Sequence, residues 1–103
     1  MSQCRIRPKL SQKEMEELAD FLKVVGEKTR LQIINWLTEE SYCVCDLEEK
    51  LALPQNLVSH HLKRLKELGL VASKRVKMKT YYRLEKSKLE HYQKLLNKLL
   101  SGR

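Results

Sequence analysis

The chain has 103 residues, 42% of them apolar and 33% charged, a balance that suits one small folded domain and excludes a chain disordered throughout. No apolar run approaches the roughly 20 residues of a membrane span, and no apolar signal core follows the first basic residues, so the expectation is a cytoplasmic protein with no membrane partner. The net charge is +8, and the three cysteines cannot all pair with one another, which suits metal or redox work better than a disulfide framework.

Residues 1–10 have no periodicity and carry Arg5, Arg7 and Lys9 with no acid. They read as a flexible basic arm, with Cys4 on it, ahead of a domain over residues 11–101. A first helix is expected from Ser11, where Ser11-Gln12-Lys13-Glu14 has the capping-box pattern. Met15, Leu18, Ala19, Leu22 and Val25 then follow helical spacing, and Gly26 ends it. A second helix is expected over about 28–38, with Leu31, Ile34 and Leu37 inward and Ile33 and Trp36 to the sides. A third is expected over roughly 43–52, with Ser41 a candidate N-cap and Val44, Leu47 and Leu51 inward. Pro54 can open a fourth helix as its first helical residue, because the amide there needs no intrahelical partner. Val58, His61, Leu62, Leu65 and Leu68 mark its inner face, and Gly69 stands just past its end.

The period then changes. Leu70–Val76 and Thr80–Leu84 are β-prone and read as a hairpin about Lys77-Met78-Lys79, without the Gly or Asn that favours a tight turn. A last helix covers about 86–100. Its apolar stripe of Leu89, Tyr92, Leu95, Leu96, Leu99 and Leu100 is wide for so small a domain, and a homodimer is the simplest way to cover it. The order of four helices, hairpin and helix is that of a winged helix-turn-helix, a mainly α fold with a small β-hairpin.

Charge places a partner on that frame. Residues 11–53 carry five basic and ten acidic groups, whereas residues 54–83 carry eight basic groups and the single acid Glu67. The basic block therefore falls on the fourth helix and the hairpin behind it, the footprint of a phosphate-binding surface. A solvated basic face would give the same count, so the side-chain types matter. Gln55, Asn56, Ser59, His60, Lys63 and Arg64 cluster on the helix face away from Val58, Leu62 and Leu65. Amide side chains pair with adenine, and Arg or Lys with guanine, in the major groove. Lys74, Arg75, Lys77 and Lys79 would lie along flanking phosphates or the minor groove. His61, on the inner side, reads as structural, and Trp36 and the tyrosines as core or dimer contacts.

With these residues in view, the chain resembles the ArsR/SmtB family of metal-sensing repressors over roughly residues 11–100. Lys28-Thr29-Arg30-Leu31 is similar to its Thr-Arg-Leu signature. Val58-Ser59-His60-His61-Leu62-Lys63-Arg64-Leu65 through Gly69-Leu70-Val71 is similar to its recognition-helix signature, and Cys43-Val44-Cys45-Asp46-Leu47 to the thiol motif of its arsenic, cadmium and lead sensors. There are departures. Glu48 stands where one type of arsenite sensor has a third cysteine. The last helix offers Glu90 and His91 but not the second histidine of a zinc site. The hairpin tip lacks the glycine of many members.

Thiolates are soft ligands that select As(III), Cd(II), Pb(II) or Cu(I) over Mg or Ca, and a helix N-terminus favours the thiolate form. On a regular helix, residues i and i+2 point about 200° apart. Binding one ion through Cys43 and Cys45 is therefore expected to distort the first turn of the third helix. Two thiolates are few for a tight site, and the resemblance implies that Cys4 joins them from the other subunit. The function expected is a homodimeric repressor on palindromic operator DNA, released by As(III) or by Cd(II) or Pb(II), with no catalytic residues and no organic cofactor. A thiol redox trigger, a constitutive DNA-binding protein with structural cysteines, and a small thiol enzyme remain as rivals.

Overall fold

The computed structural model describes residues 7–101; Cys4 and Arg5 lie outside them. Five helices surround a small sheet: α1 Gln12–Val25, α2 Lys28–Leu37, β1 Tyr42–Cys43, α3 Val44–Leu51, α4 Gln55–Glu67, β2 Val71–Val76, β3 Lys79–Leu84 and α5 Lys86–Leu100. Among the described residues no helix is long and apolar enough to cross a membrane. Leu18, Ile33, Leu47, Val58, Leu62, Leu65 and Leu70 are wholly buried where α1–α4 and the base of the hairpin meet. Each buried leucine contributes about 2 kcal/mol.

The expected caps of α1 form. Ser11 Oγ accepts from the Glu14 amide at 3.1 Å, and Glu14 Oε1 accepts from the Ser11 amide at 2.9 Å. Gly26 caps the helix with φ −74°, a conformation open to any residue. What it supplies is space, because a Cβ there would stand 2.8 Å from the Leu22 carbonyl oxygen. Gly69 closes α4 in the left-handed region, φ 79°, while the Leu70 amide reaches back to the Leu65 carbonyl.

Other expectations are corrected. The inward stripe of α2 is Ile33 and Leu37, with Ile34 partly buried against the same core as expected, while Leu31 is 53% exposed. The stripe is rotated because Arg30, three residues before Ile33, turns inward to hydrogen-bond the Val24 carbonyl. Trp36 stands to the side of α2 as expected, edge-on to Tyr42 with the Lys50 ammonium over both rings. Pro54 is the N-cap of α4 rather than its first helical residue. Cys43, not Ser41, caps α3, which spans 44–51.

The hairpin gains a third strand. β1 pairs antiparallel with β3 through Tyr42↔Tyr82 and Cys43↔Tyr81, giving the order β1-β3-β2. β2 and β3 meet at Val76↔Lys79 around the two-residue tip Lys77-Met78. Lys77 takes φ 58° there, the left-handed conformation that such a short turn requires. On α5, Tyr92 and Leu95 are buried within the chain, Tyr92 stacked on Phe21 of α1 at 4.4 Å. Part of the apolar stripe is thus used internally, and the surface it leaves open is narrower than its sequence implies.

Candidate nucleic-acid interface and metal centre

α3 and α4 are joined by a tight turn. Ala52 ends α3 in the left-handed region, φ 55° and ψ 46°, and Pro54 starts α4, its carbonyl accepting from the Leu57 and Val58 amides. Leu47 on α3 and Val58 and Leu62 on α4 are fully buried and belong to one core cluster. The polar face of α4 is thereby turned outward. Gln55, Asn56, Ser59, His60, Lys63 and Arg64 are all exposed, as are Lys74, Arg75, Lys77 and Lys79 on the hairpin. Arg64 is paired with Glu67 at 2.9 Å, an exposed pair worth at most about 1 kcal/mol and easily given up to a stronger anion. Lys66 donates to Ser73 Oγ at 2.7 Å and ties the end of α4 to the base of the wing. It was not among the residues expected from the sequence.

Behind α4 lies a partly buried polar cluster. Arg30 donates through Nε to the Val24 carbonyl at 2.6 Å, and its Nη1 stands 3.2 Å from His61 Nδ1. Glu27, which caps α2 by accepting from the Arg30 amide, lies 3.9 Å from the same ring. A guanidinium can only donate, so His61 Nδ1 is the acceptor and its proton sits on Nε2. Burial holds His61 below its ordinary value, and Arg30 and His60 press the same way while Glu27 opposes them. His61 is therefore a neutral structural residue, 7% exposed, that fixes α4 to the α1–α2 corner.

The thiols sit where β1 becomes α3. Cys43 has extended backbone, φ −83° and ψ 169°, so the helical 200° divergence does not apply to it. Its sulfur turns back over the first turn of α3 and meets that of Cys45 in disulfide contact, with the Cα atoms 5.4 Å apart. Cys43 is buried and Cys45 exposed. The Asp46 amide donates to Cys43 Sγ at 3.4 Å, and Asp46 Oδ2 accepts from the Cys43 amide at 3.2 Å. The two sulfurs and an Asp46 oxygen lie within 4.8 Å of one another, the one such group of three found among the described residues. When reduced, the pair presents two thiolates and a carboxylate to one point, at a helix N-terminus whose amides favour anions. The expected distortion of α3 is thus not needed to bring the thiols together. Asp46 belongs to the group through its part in the cap.

Known proteins are similar to this chain in sequence and fold. Residues 27–73 match the model of the bacterial regulatory protein, arsR family. The arsenical resistance operon repressor of Staphylococcus aureus is 33% identical over 80% of this chain and 79% of its own length. The cadmium resistance transcriptional regulatory protein CadC of Listeria innocua is 31% identical over 82% of this chain and 72% of its own. Among solved structures, the transcriptional regulator HlyU of Vibrio vulnificus is similar at a TM-score of 0.69 and 30% identity, covering 86% of this chain and 93% of that one. The helix-turn-helix of α3 and α4, the wing of β2 and β3 and these likenesses agree: the chain belongs to the arsR family of transcriptional regulators, DNA-binding proteins rather than enzymes.

Proposed function

We propose that the protein is a cytoplasmic homodimeric repressor that holds a palindromic operator and releases it when a soft metal or metalloid, As(III) or Cd(II) or Pb(II), binds Cys43 and Cys45. The observation that carries this reading is the convergence of Cys43, Cys45 and Asp46 donors within 4.8 Å at the foot of α3. The arsenical and cadmium resistance regulators among its relatives support the same class of inducer. Gln55, Asn56, Ser59, His60, Lys63 and Arg64 read bases and nearby phosphates, and Lys74, Arg75, Lys77 and Lys79 hold the backbone. Cys4, on the basic arm of residues 1–10, supplies a further thiolate. Cys43 is at once a strand residue paired to the wing and the cap of α3, so an ion that takes its sulfur acts on both elements at once. Only an ion that binds the DNA-free form better can release DNA, and the coupling is reciprocal.

The test separates cap from ligand. Cys43→Ser keeps a capping oxygen, whereas Cys43→Ala loses the cap at about 1 kcal/mol. Both variants should hold operator DNA and ignore all three ions in a gel-shift titration. A Cys43→Ser, Cys45→Ser double variant still released by them would sink the proposal. A second reading rests on the sulfur contact itself. Peroxide would oxidise the two thiols to a disulfide, with release of two waters, and the disulfide would be the signal. Peroxide-driven release that dithiothreitol reverses, with chelator present throughout, favours that reading over the metal.

A further inference from the structure

One cavity, about 240 Å³, is lined by Cys43, Val44, Cys45, Gln55, Met78, Lys79 and Thr80. It puts the thiols, the first residue of the recognition helix and the tip of the wing around one space. The strand register explains why. Cys43 stands opposite Tyr81, and the antiparallel sense carries the chain from there past Thr80 and Lys79 to Met78 as it runs from Cys43 to Cys45. Met78 lines this space and is 85% exposed. Its three rotatable bonds let the thioether sweep the mouth of the cavity.

We propose that Met78 is a ligand: the wing tip supplies a thioether that joins the Cys43 and Cys45 thiolates around a monovalent soft ion, Cu(I). This rests on the thiol-site reading above and adds to the ions proposed there a Cu(I) held by Met78 in place of Cys4. A thioether carries no charge and prefers Cu(I), whereas As(III) asks for a third thiolate. Two thiolates, one thioether and Cu(I) leave a net charge of −1. Lys79, which lines the same cavity, carries the charge that can balance it. Gln55 and Lys79 are candidate DNA contacts, so an ion bound here draws on the reading helix and the wing together, within one subunit.

The test is an anaerobic Cu(I) titration of the reduced full chain against a chromophoric Cu(I) chelator, with copper X-ray absorption to count sulfur neighbours. The wild type should show three sulfurs. Met78→Leu keeps the shape of an exposed side chain and should fall to two. Its affinity should drop at least about tenfold, the lower end of what even an outer-shell partner is worth to a metal site. Cys4→Ser should keep all three sulfurs. If Met78→Leu binds as tightly with the same sulfur count, or Cys4→Ser is the variant that loses one, Met78 is not a ligand and the thiol site stands without it. If Cys43→Ser, Cys45→Ser retains wild-type Cu(I) affinity, the thiol reading itself falls.

Discussion

His61 shows how one side chain can be placed on the right face for an incomplete reason. Helical spacing puts it inward with Val58, Leu62 and Leu65, and all four are buried. The spacing does not reveal Arg30, thirty-one positions away, as its partner. The consequence is a pH dependence with a definite sign. Burial lowers the folded pKa below the ordinary 6.5. The neutral ring's contribution is therefore complete above pH 6.5. As the pH falls below that value the unfolded chain takes up a proton that the folded chain refuses, and stability is lost until the lower folded pKa is passed. Protonation of Nδ1 would also set two donors, imidazolium and guanidinium, against each other. Thermal melts from pH 7.5 to 5.0 should show wild type losing stability faster than His61→Gln, whose amide oxygen can still accept from Arg30. Parallel slopes would remove His61 as the cause.

Elements were legible where a local rule fixes them. The capping box at Ser11, the glycine after α4 and the inner stripe of α4 appear as read. The wing appears too, because alternating β-prone residues on either side of Lys77-Met78 leave little else for the chain to do. β1 was not legible: a two-residue strand has no period, and it exists only because Tyr42 and Cys43 meet Tyr82 and Tyr81. The convergence of the thiols follows from that missed strand, since a strand residue that caps a helix is free of the helical spacing. The rotation of α2 was hidden for a related reason, a charged Arg30 occupying a place that an apolar count assigns to leucine. Ala52 is the third case. Nothing in its type announces a left-handed residue, yet the turn between α3 and α4 needs one. An L-residue pays about 1–2 kcal/mol there and glycine almost nothing. Ala52 is exposed and outside the helix, so Ala52→Gly should raise stability in urea by up to about 1 kcal/mol with operator affinity unchanged. A loss of stability would mean that the greater freedom of glycine in the unfolded chain outweighs the relief.

At the scale of the molecule, the question is what meets the apolar surface that the chain cannot bury by itself. The described structure is elongated, 61 × 22 × 21 Å, with α1 and α5 packed together through Phe21 and Tyr92. Met15 and Leu22 of α1 remain 42% and 43% exposed, and Leu99 and Leu100 of α5 37% and 72%. Met15 and Leu22 are seven residues apart and share a face of their helix. A two-fold axis along this surface would cover it with its own copy and present two α4 helices to a palindrome, with half-sites about 34–36 Å apart. Leu96 packs partly on the core, so a charge placed there would confuse folding with assembly. Leu22 is the cleaner probe. Leu22→Glu should keep the wild-type melting temperature of the protomer, sediment as a monomer at micromolar concentration and lose the operator, while its residual DNA binding keeps a salt dependence set by the same basic face. A Leu22→Glu protein that still sediments as a dimer would move the interface elsewhere; a monomer that still binds the palindrome at full affinity would show that the two reading helices act independently.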